Sequence, residues 1–100
     1  MVSVKNRYRK TLFKVKGGKI LNQGGQQLAT VVENGLEDTQ GQKIVEINDM
    51  QVISISDGSV LASVQGSSIV SPEGSVLGYV DGIPVGDFTY GAAALVMFAY

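Results

Sequence analysis

The sequence predicts an all-β fold, an antiparallel meander of five to six β-hairpins closed into a shallow, pseudo-symmetric barrel. Three observations lead there. A unit of 16 to 17 residues centred on a glycine recurs along the chain. Each copy holds two short β-forming stretches separated by turn signals. One face of the strands is apolar and small near its middle, while the intervening positions are largely polar.

The recurrence is the strongest of the three. Gly25, Gly41, Gly58 and Gly74 stand 16, 17 and 16 residues apart. Three residues after each come Leu28, Ile44, Leu61 and Leu77; six after come Val31, Ile47, Val64 and Val80. Five before come Ile20, Leu36, Ile53 and Ile69. The frame extends back to Arg9, with Val4, Leu12 and Val15 in the apolar slots, and forward to Gly91, with Ala94 and Met97. Six degenerate copies thus tile residues 1–100 as a single domain. The first repeat (1–19) is basic and the last (91–100) is read as an apolar closing strand.

Turn chemistry fixes how each copy folds. Asn22 to Gly25, Asp38 to Gly41 and Ser71 to Gly74 put a capping side chain first and glycine fourth. That is the pattern of a type I turn followed by a left-handed residue in a G1 bulge. Arg9 lacks the glycine, so its turn is expected to be built differently. Lys16 to Lys19, Gln65 to Ser68 and Asp81 to Pro84 read as two-residue hairpin loops. Two reversals per unit argue for a meander over a solenoid, with about eleven or twelve strands of ordinary length. The small residues Ala29, Val45, Ala62 and Gly78 predict strands converging on a crowded axis. Closure removes exposed sheet edges.

The unit, apolar–x–Asn/Asp–x–x–Gly–x–x–Leu–Ala/Gly–x–Val, resembles that of the β-flower proteins, small bacterial proteins with hairpin petals around a central axis. Leu77-Gly-Tyr-Val-Asp-Gly-Ile-Pro-Val followed by an Ala-rich, aromatic tail is most similar to the five-fold members. The resemblance implies a fold and little biochemistry. Arg9 at the anchor, Phe13 and Val45 at the small position, and one-residue insertions before Gly58 and Gly91 depart from the pattern.

Composition excludes much chemistry. The chain has no cysteine, histidine or tryptophan, which removes thiol chemistry, imidazole bases and most transition-metal sites. No lysine beyond residue 19 except Lys43 exists to activate a serine. Glu37, Asp38, Asp49, Asp57 and Asp81 mostly fall in turns, where Asp belongs for local hydrogen bonding. Gly17-Gly18 and Gly24-Gly25 lack the lysine and helix of a phosphate loop. The expectation is a protein that is not an enzyme, takes no cofactor or metal, and has no nucleic-acid partner or identifiable small-molecule substrate.

Two segments depart from the repeat and carry the candidate sites. The net charge is −1, but residues 1–19 hold seven cations and no acid, and residues 20–100 hold Lys43 against nine acids. Lys5, Arg7, Lys10, Lys14 and Lys16 are the candidate residues for an anion or anionic membrane surface. The blander reading is that acidic neighbours, or a second subunit, neutralise them. The uncharged tail Ala92 to Tyr100 offers Leu95, Met97, Phe98 and Tyr100 as an association surface, alongside its reading as a closing strand or a plug of the axial channel. Gly25, Gly41, Gly58, Gly74 and Gly91 are read as structural turn residues. The functional expectation is a non-catalytic structural or binding module that self-associates; the alternative is a lipid-headgroup or small apolar ligand binder using the axial channel and basic rim. The first 20 residues show no signal-peptide core and no stretch reaches the about 20 apolar residues of a bilayer span. A soluble, cytoplasmic protein is therefore expected, or a secreted or periplasmic one if a signal has been removed.

Overall fold

In the computed structural model, which describes residues 1–100, ten antiparallel strands form a closed barrel and one helix fills its centre. The strands are β1 (Val2–Asn6), β2 (Thr11–Lys16), β3 (Lys19–Asn22), β4 (Gln27–Val32), β5 (Gly35–Glu37), β6 (Lys43–Asn48), β7 (Gln51–Ile53), β8 (Val60–Gln65), β9 (Ser68–Val70) and β10 (Val76–Gly82). Each pairs with its chain neighbours, and β1 closes onto β10 in a register running from Val2↔Gly82 to Asn6↔Gly78. A single 3₁₀ turn (Val85–Asp87) leads into α1 (Phe88–Ala99). Ten strands replace the eleven or twelve expected from the repeat.

The connections divide between two rims. The long-turn rim carries 7–10, 23–26, 38–42, 54–59 and 71–75; the short-turn rim carries 17–18, 33–34, 49–50 and 66–67. At the long-turn rim, Gly25, Gly41, Gly58 and Gly74 have φ of 82°, 81°, 73° and 93°, a left-handed conformation that glycine adopts without a Cβ penalty. Arg9 shares it, with φ 67°. Contrary to expectation, its turn is built like the others, because the leading Asx side chain organises it. Asn6 Oδ1 accepts hydrogen bonds from the N–H groups of Tyr8 (2.9 Å) and Lys10 (3.0 Å). Asn22 does the same for Gly24 and Gln26, and Asp38 for Gln40 and Gln42.

The 54–59 turn, with its extra residue, uses a different cap. Asp57 accepts from the Ser59 N–H at 3.0 Å and the Ser59 hydroxyl at 2.8 Å. Those bonds, the backbone one foremost, hold its carboxyl below the usual range. At the other rim, Asp81 to Pro84 is no hairpin. Gly82 is still paired with Val2, and the chain then turns through a cis Ile83–Pro84 bond toward α1.

The tail is a helix, where a closing strand was expected. The reason lies in the barrel: β1 and β10 already occupy each other's edges. A strand over 92–100 would have no partner for its backbone N–H and C=O groups. An α-helix satisfies those groups internally, the solution open to a segment surrounded by apolar side chains. Twelve residues give a helix about 18 Å long, comparable with the 23 Å shortest extent of the molecule.

Packing explains the small residues on the inner face. α1 lies against β1, β2, β5 to β8 and β10. Ala92, Ala93, Ala94 and Leu95 are fully buried, as are Val4, Ala29, Val45, Val52, Ala62 and Val80 around them. A Cβ on Gly78 would fall 2.7 Å from Leu95 Cδ2, and one on Gly91 would fall 2.8 Å from Val4 Cγ2 and 3.1 Å from Val80 Cγ1. The helix crowds the axis, and at Gly78 the backbone of the neighbouring strand β1, at the Lys5 carbonyl oxygen, is closer still. Gly91 is accordingly a contact residue of α1 and not a turn residue. Eight strands enclose an interior that side chains alone can fill; this wider barrel holds a helix of small residues instead.

Candidate functional site

The basic residues form one wall of the barrel. On β2 and β3 the register pairs Lys14 with Leu21 and Lys16 with Lys19, while β1 sets Ser3 beside Lys14 and Lys5 beside Tyr79. Phe13 and Val15 are buried, so the alternation turns Lys14 and Lys16 outward. Lys16 and Lys19 are direct cross-strand partners flanking the Gly17–Gly18 turn, an arrangement of like charges that opposes strand pairing. Lys19, one of the seven cations but outside the candidate set that ends at Lys16, belongs to this group.

One acidic neighbour pairs with the wall. Lys5 Nζ lies 2.8 Å from Asp81 Oδ2, and the other ion pair of the molecule, Lys43 with Glu46, is on β6. The other six cations of residues 1–19 make no ion pair. Two of them meet tyrosines instead. Arg7 Nη2 donates to Tyr8 Oη at 2.9 Å, its guanidinium 5.0 Å from the ring centroid, and the Arg9 guanidinium stands 4.0 Å over the Tyr79 ring. Arginine suits such stacked positions and keeps its charge throughout the physiological range.

The tail divides at the same place. Leu95 is fully buried in the lumen and contributes no association surface. Met97 is half-buried, and Phe98 and Tyr100 are 38% and 66% exposed. Phe98 packs on Phe13 with ring centroids 6.2 Å apart, and Tyr100 Oη donates to the Leu77 carbonyl at 2.9 Å. These contacts bring the end of α1 out at the long-turn rim.

The two segments that stood apart in the sequence therefore meet. A shallow depression at this rim is lined by Asn6, Arg7, Tyr8, Leu12, Ala99 and Tyr100. Tyr8, at 75% exposure, stands over it. Tyr8 is not among the residues expected from the sequence; its signal is an aromatic interleaved with Arg7 and Arg9 in the one long turn that lacks glycine. The negative end of the α1 dipole emerges here too, so part of the cation excess in the 7–10 turn is matched to it.

The rest of the molecule narrows the chemistry. The axial channel considered for an apolar ligand is filled by α1, and the surface depressions all lie outside the lumen. One of them, lined by Lys16, Gly17, Lys19, Leu21, Gly25 and Gln27, lies on the basic wall. No three His, Cys, Asp or Glu side chains come together in a metal-binding group. No helix is long and apolar enough to cross a membrane. No family model matches the chain, and no curated protein or solved structure matches it either.

Proposed function

We propose that the protein is a non-catalytic binding module, a barrel that presents its β1–β3 wall to polyanionic surfaces, with phospholipid headgroups as the leading example. The observation carrying this reading is the wall itself: seven cations, no acid, and one ion pair among them. Keeping like charges as close as Lys16 and Lys19 opposes folding, and a bound anion removes that repulsion. Lumen burial of α1 supports recognition on the outside of the barrel. Vesicle flotation at low and at physiological salt tests the reading. Anionic vesicles should carry the protein upward at low salt, with retention falling as salt screens the wall. Absence of binding to anionic vesicles and to a soluble polyanion at low salt refutes it.

A second reading, self-association, is favoured by the charge of the rest of the chain, where residues 20–100 hold nine acids and one lysine, spread over both rims and the other strands. One copy's basic wall then meets acidic turns of another, a heterologous contact. Light scattering across a salt series distinguishes the two, because this association weakens with salt in the absence of any lipid. The five hairpins are read as degenerate copies of one unit, in the manner of the β-flower proteins. What supports that is the Asx- or Ser-led turn with a left-handed fourth residue at Arg9, Gly25, Gly41 and Gly74, and its one-residue-longer variant at Gly58.

A further inference from the structure

The depression where the basic turn meets the end of α1 has the composition of a surface that seats in a lipid interface. Tyr8 and Tyr100, both largely exposed, line it with Arg7; Arg9 and Lys10 follow in the same turn, and Phe98, two residues before Tyr100, is partly exposed. Aromatic rings with one polar end favour the headgroup boundary, where the ring is desolvated and the hydroxyl stays wet. Arginine beside them offers planar donors to phosphate oxygens. We infer that the protein docks on anionic bilayers edge-on, with the 7–10 turn and the end of α1 seated among the headgroups and the β1–β3 wall facing the membrane. This inference rests on the wall's proposed preference for polyanions and adds the partner and the depth of contact.

Charge placement sets the tilt. The other long-turn connections carry Asp38, Asp57 and Glu73, so a face-on approach by the whole rim would press three carboxylates against an anionic surface. The 23–26 turn, Gln-Gly-Gly-Gln, carries no charge. Tilting toward β2 and β3 therefore brings in Lys14, Lys16 and Lys19 and lifts the acidic turns away. The contact surface is also pre-organised. Tyr100 is tethered to the Leu77 carbonyl and Phe98 to Phe13, while the lumen grips the rest of α1. Little ordering cost remains for the bilayer contact.

The absence of tryptophan gives a clean test. Single-tryptophan reporters Tyr8→Trp, in the proposed contact, and Met50→Trp, on the short-turn rim, are mixed with phosphatidylcholine–phosphatidylserine vesicles with and without brominated acyl chains. Tyr8→Trp should shift to the blue and be quenched by the bromines, and Met50→Trp should do neither while floating equally well. In the wild-type background, Arg7→Gln and Lys10→Gln should each weaken vesicle binding about fivefold. Tyr8→Ser with Tyr100→Ser should cost more of the binding at physiological salt than at low salt. Flotation of Tyr8→Trp without quenching overturns the edge-on seating and leaves adsorption by the wall in place. Binding to polyphosphate or heparin with no flotation also overturns it, and identifies a soluble polyanion as the partner. Binding to none of these removes the proposed function together with the inference.

Discussion

Leu95 is where the helix-in-barrel arrangement can be tested most directly. Its side chain is fully buried, and its Cδ2 reaches the space above Gly78, a residue with no side chain of its own. Leu95→Ala empties that space. Collapse is restricted, because the floor is backbone: a Cβ on Gly78 would meet not only Leu95 but the Lys5 carbonyl oxygen of the β1–β10 ladder. Leu-to-Ala changes in cores cost about 2–5 kcal/mol, more where the site cannot relax. A loss of about 3–4 kcal/mol is therefore expected, a large share of the about 5–15 kcal/mol that holds a domain of this size. Urea unfolding followed by far-ultraviolet circular dichroism reads it. With a slope of about 1 kcal/mol per molar, the midpoint should fall by about 3 M.

The same geometry predicts an asymmetric double-mutant cycle. Gly78→Ala in the wild type meets both Leu95 and the Lys5 carbonyl. In the Leu95→Ala background the first clash is gone and the second remains, so the added methyl should not restore the lost stability. A Leu95→Ala midpoint shift below about 0.5 M, the size expected of a surface change, would refute the burial of α1 in the lumen. Recovery of most of the loss by Gly78→Ala would refute the rigid β1–β10 floor.

Four further outcomes follow from the turns and the wall. Asp38→Ala removes the acceptor of two backbone N–H groups and should cost about 1 kcal/mol in urea unfolding, as loss of an Asx cap does in helices. Asp57, whose carboxyl is held low by the Ser59 N–H and hydroxyl, contributes stability that is present above its unfolded-state titration and is lost as pH falls through its folded-state one. Asp57→Asn should therefore flatten the acid limb of the stability profile below the ordinary carboxylate range and leave the neutral limb's slope unchanged. Arg9→Gly relieves a left-handed non-glycine residue but loses the Tyr79 contact and loosens the unfolded chain, so its midpoint should stay within about 1 kcal/mol of wild type, while Arg9→Val should cost about 1–2 kcal/mol. Asp81→Asn frees Lys5 from its ion pair; stability should change by less than about 1 kcal/mol, while affinity for anionic vesicles rises in flotation.

The sequence revealed what local chemistry decides and concealed what closure decides. Hairpin turns at Asn22 to Gly25, Asp38 to Gly41 and Ser71 to Gly74 were legible because each carries its own capping side chain. The Arg9 turn lacks glycine at its fourth position, and Asn6 at the first is the more general signal. The helix was missed for a different reason. Ala94 and Met97 fall in the strand slots of the repeat frame, and the fact that rules a strand out, the pairing of β1 with β10, is a contact between the two ends of the chain. Its trace in the sequence was the row of small inner residues, Ala29, Ala62 and Gly78, read as strand crowding. The candidate site was half visible: cations and apolar tail were each found, and only the threading of α1 from one rim to the other puts them together.

That threading also constrains where recognition can evolve. The lumen is occupied, so a ligand must be met from outside, on strand faces or in turns. In four of the five long-turn connections the leading residue supplies the hydrogen bonds, as Asn6, Asn22, Asp38 and Ser71 do. The second and third positions then vary without loss to the fold: Arg7 and Tyr8 in one turn, Gln23 and Gly24 in the next, Pro72 and Glu73 in the last. The fourth position is the demanding one, since its φ is left-handed. Glycine fills it in three turns and the equivalent fifth position in the longer 54–59 turn, while Arg9 holds it in the remaining turn at a backbone cost of about 1 kcal/mol. Glycine there would relieve that cost but lose the Tyr79 contact. Arg9 in that position, stacked on Tyr79 in the one turn that also exposes an aromatic ring and adjoins the end of α1, makes that corner the place where the proposed binding chemistry is best tested.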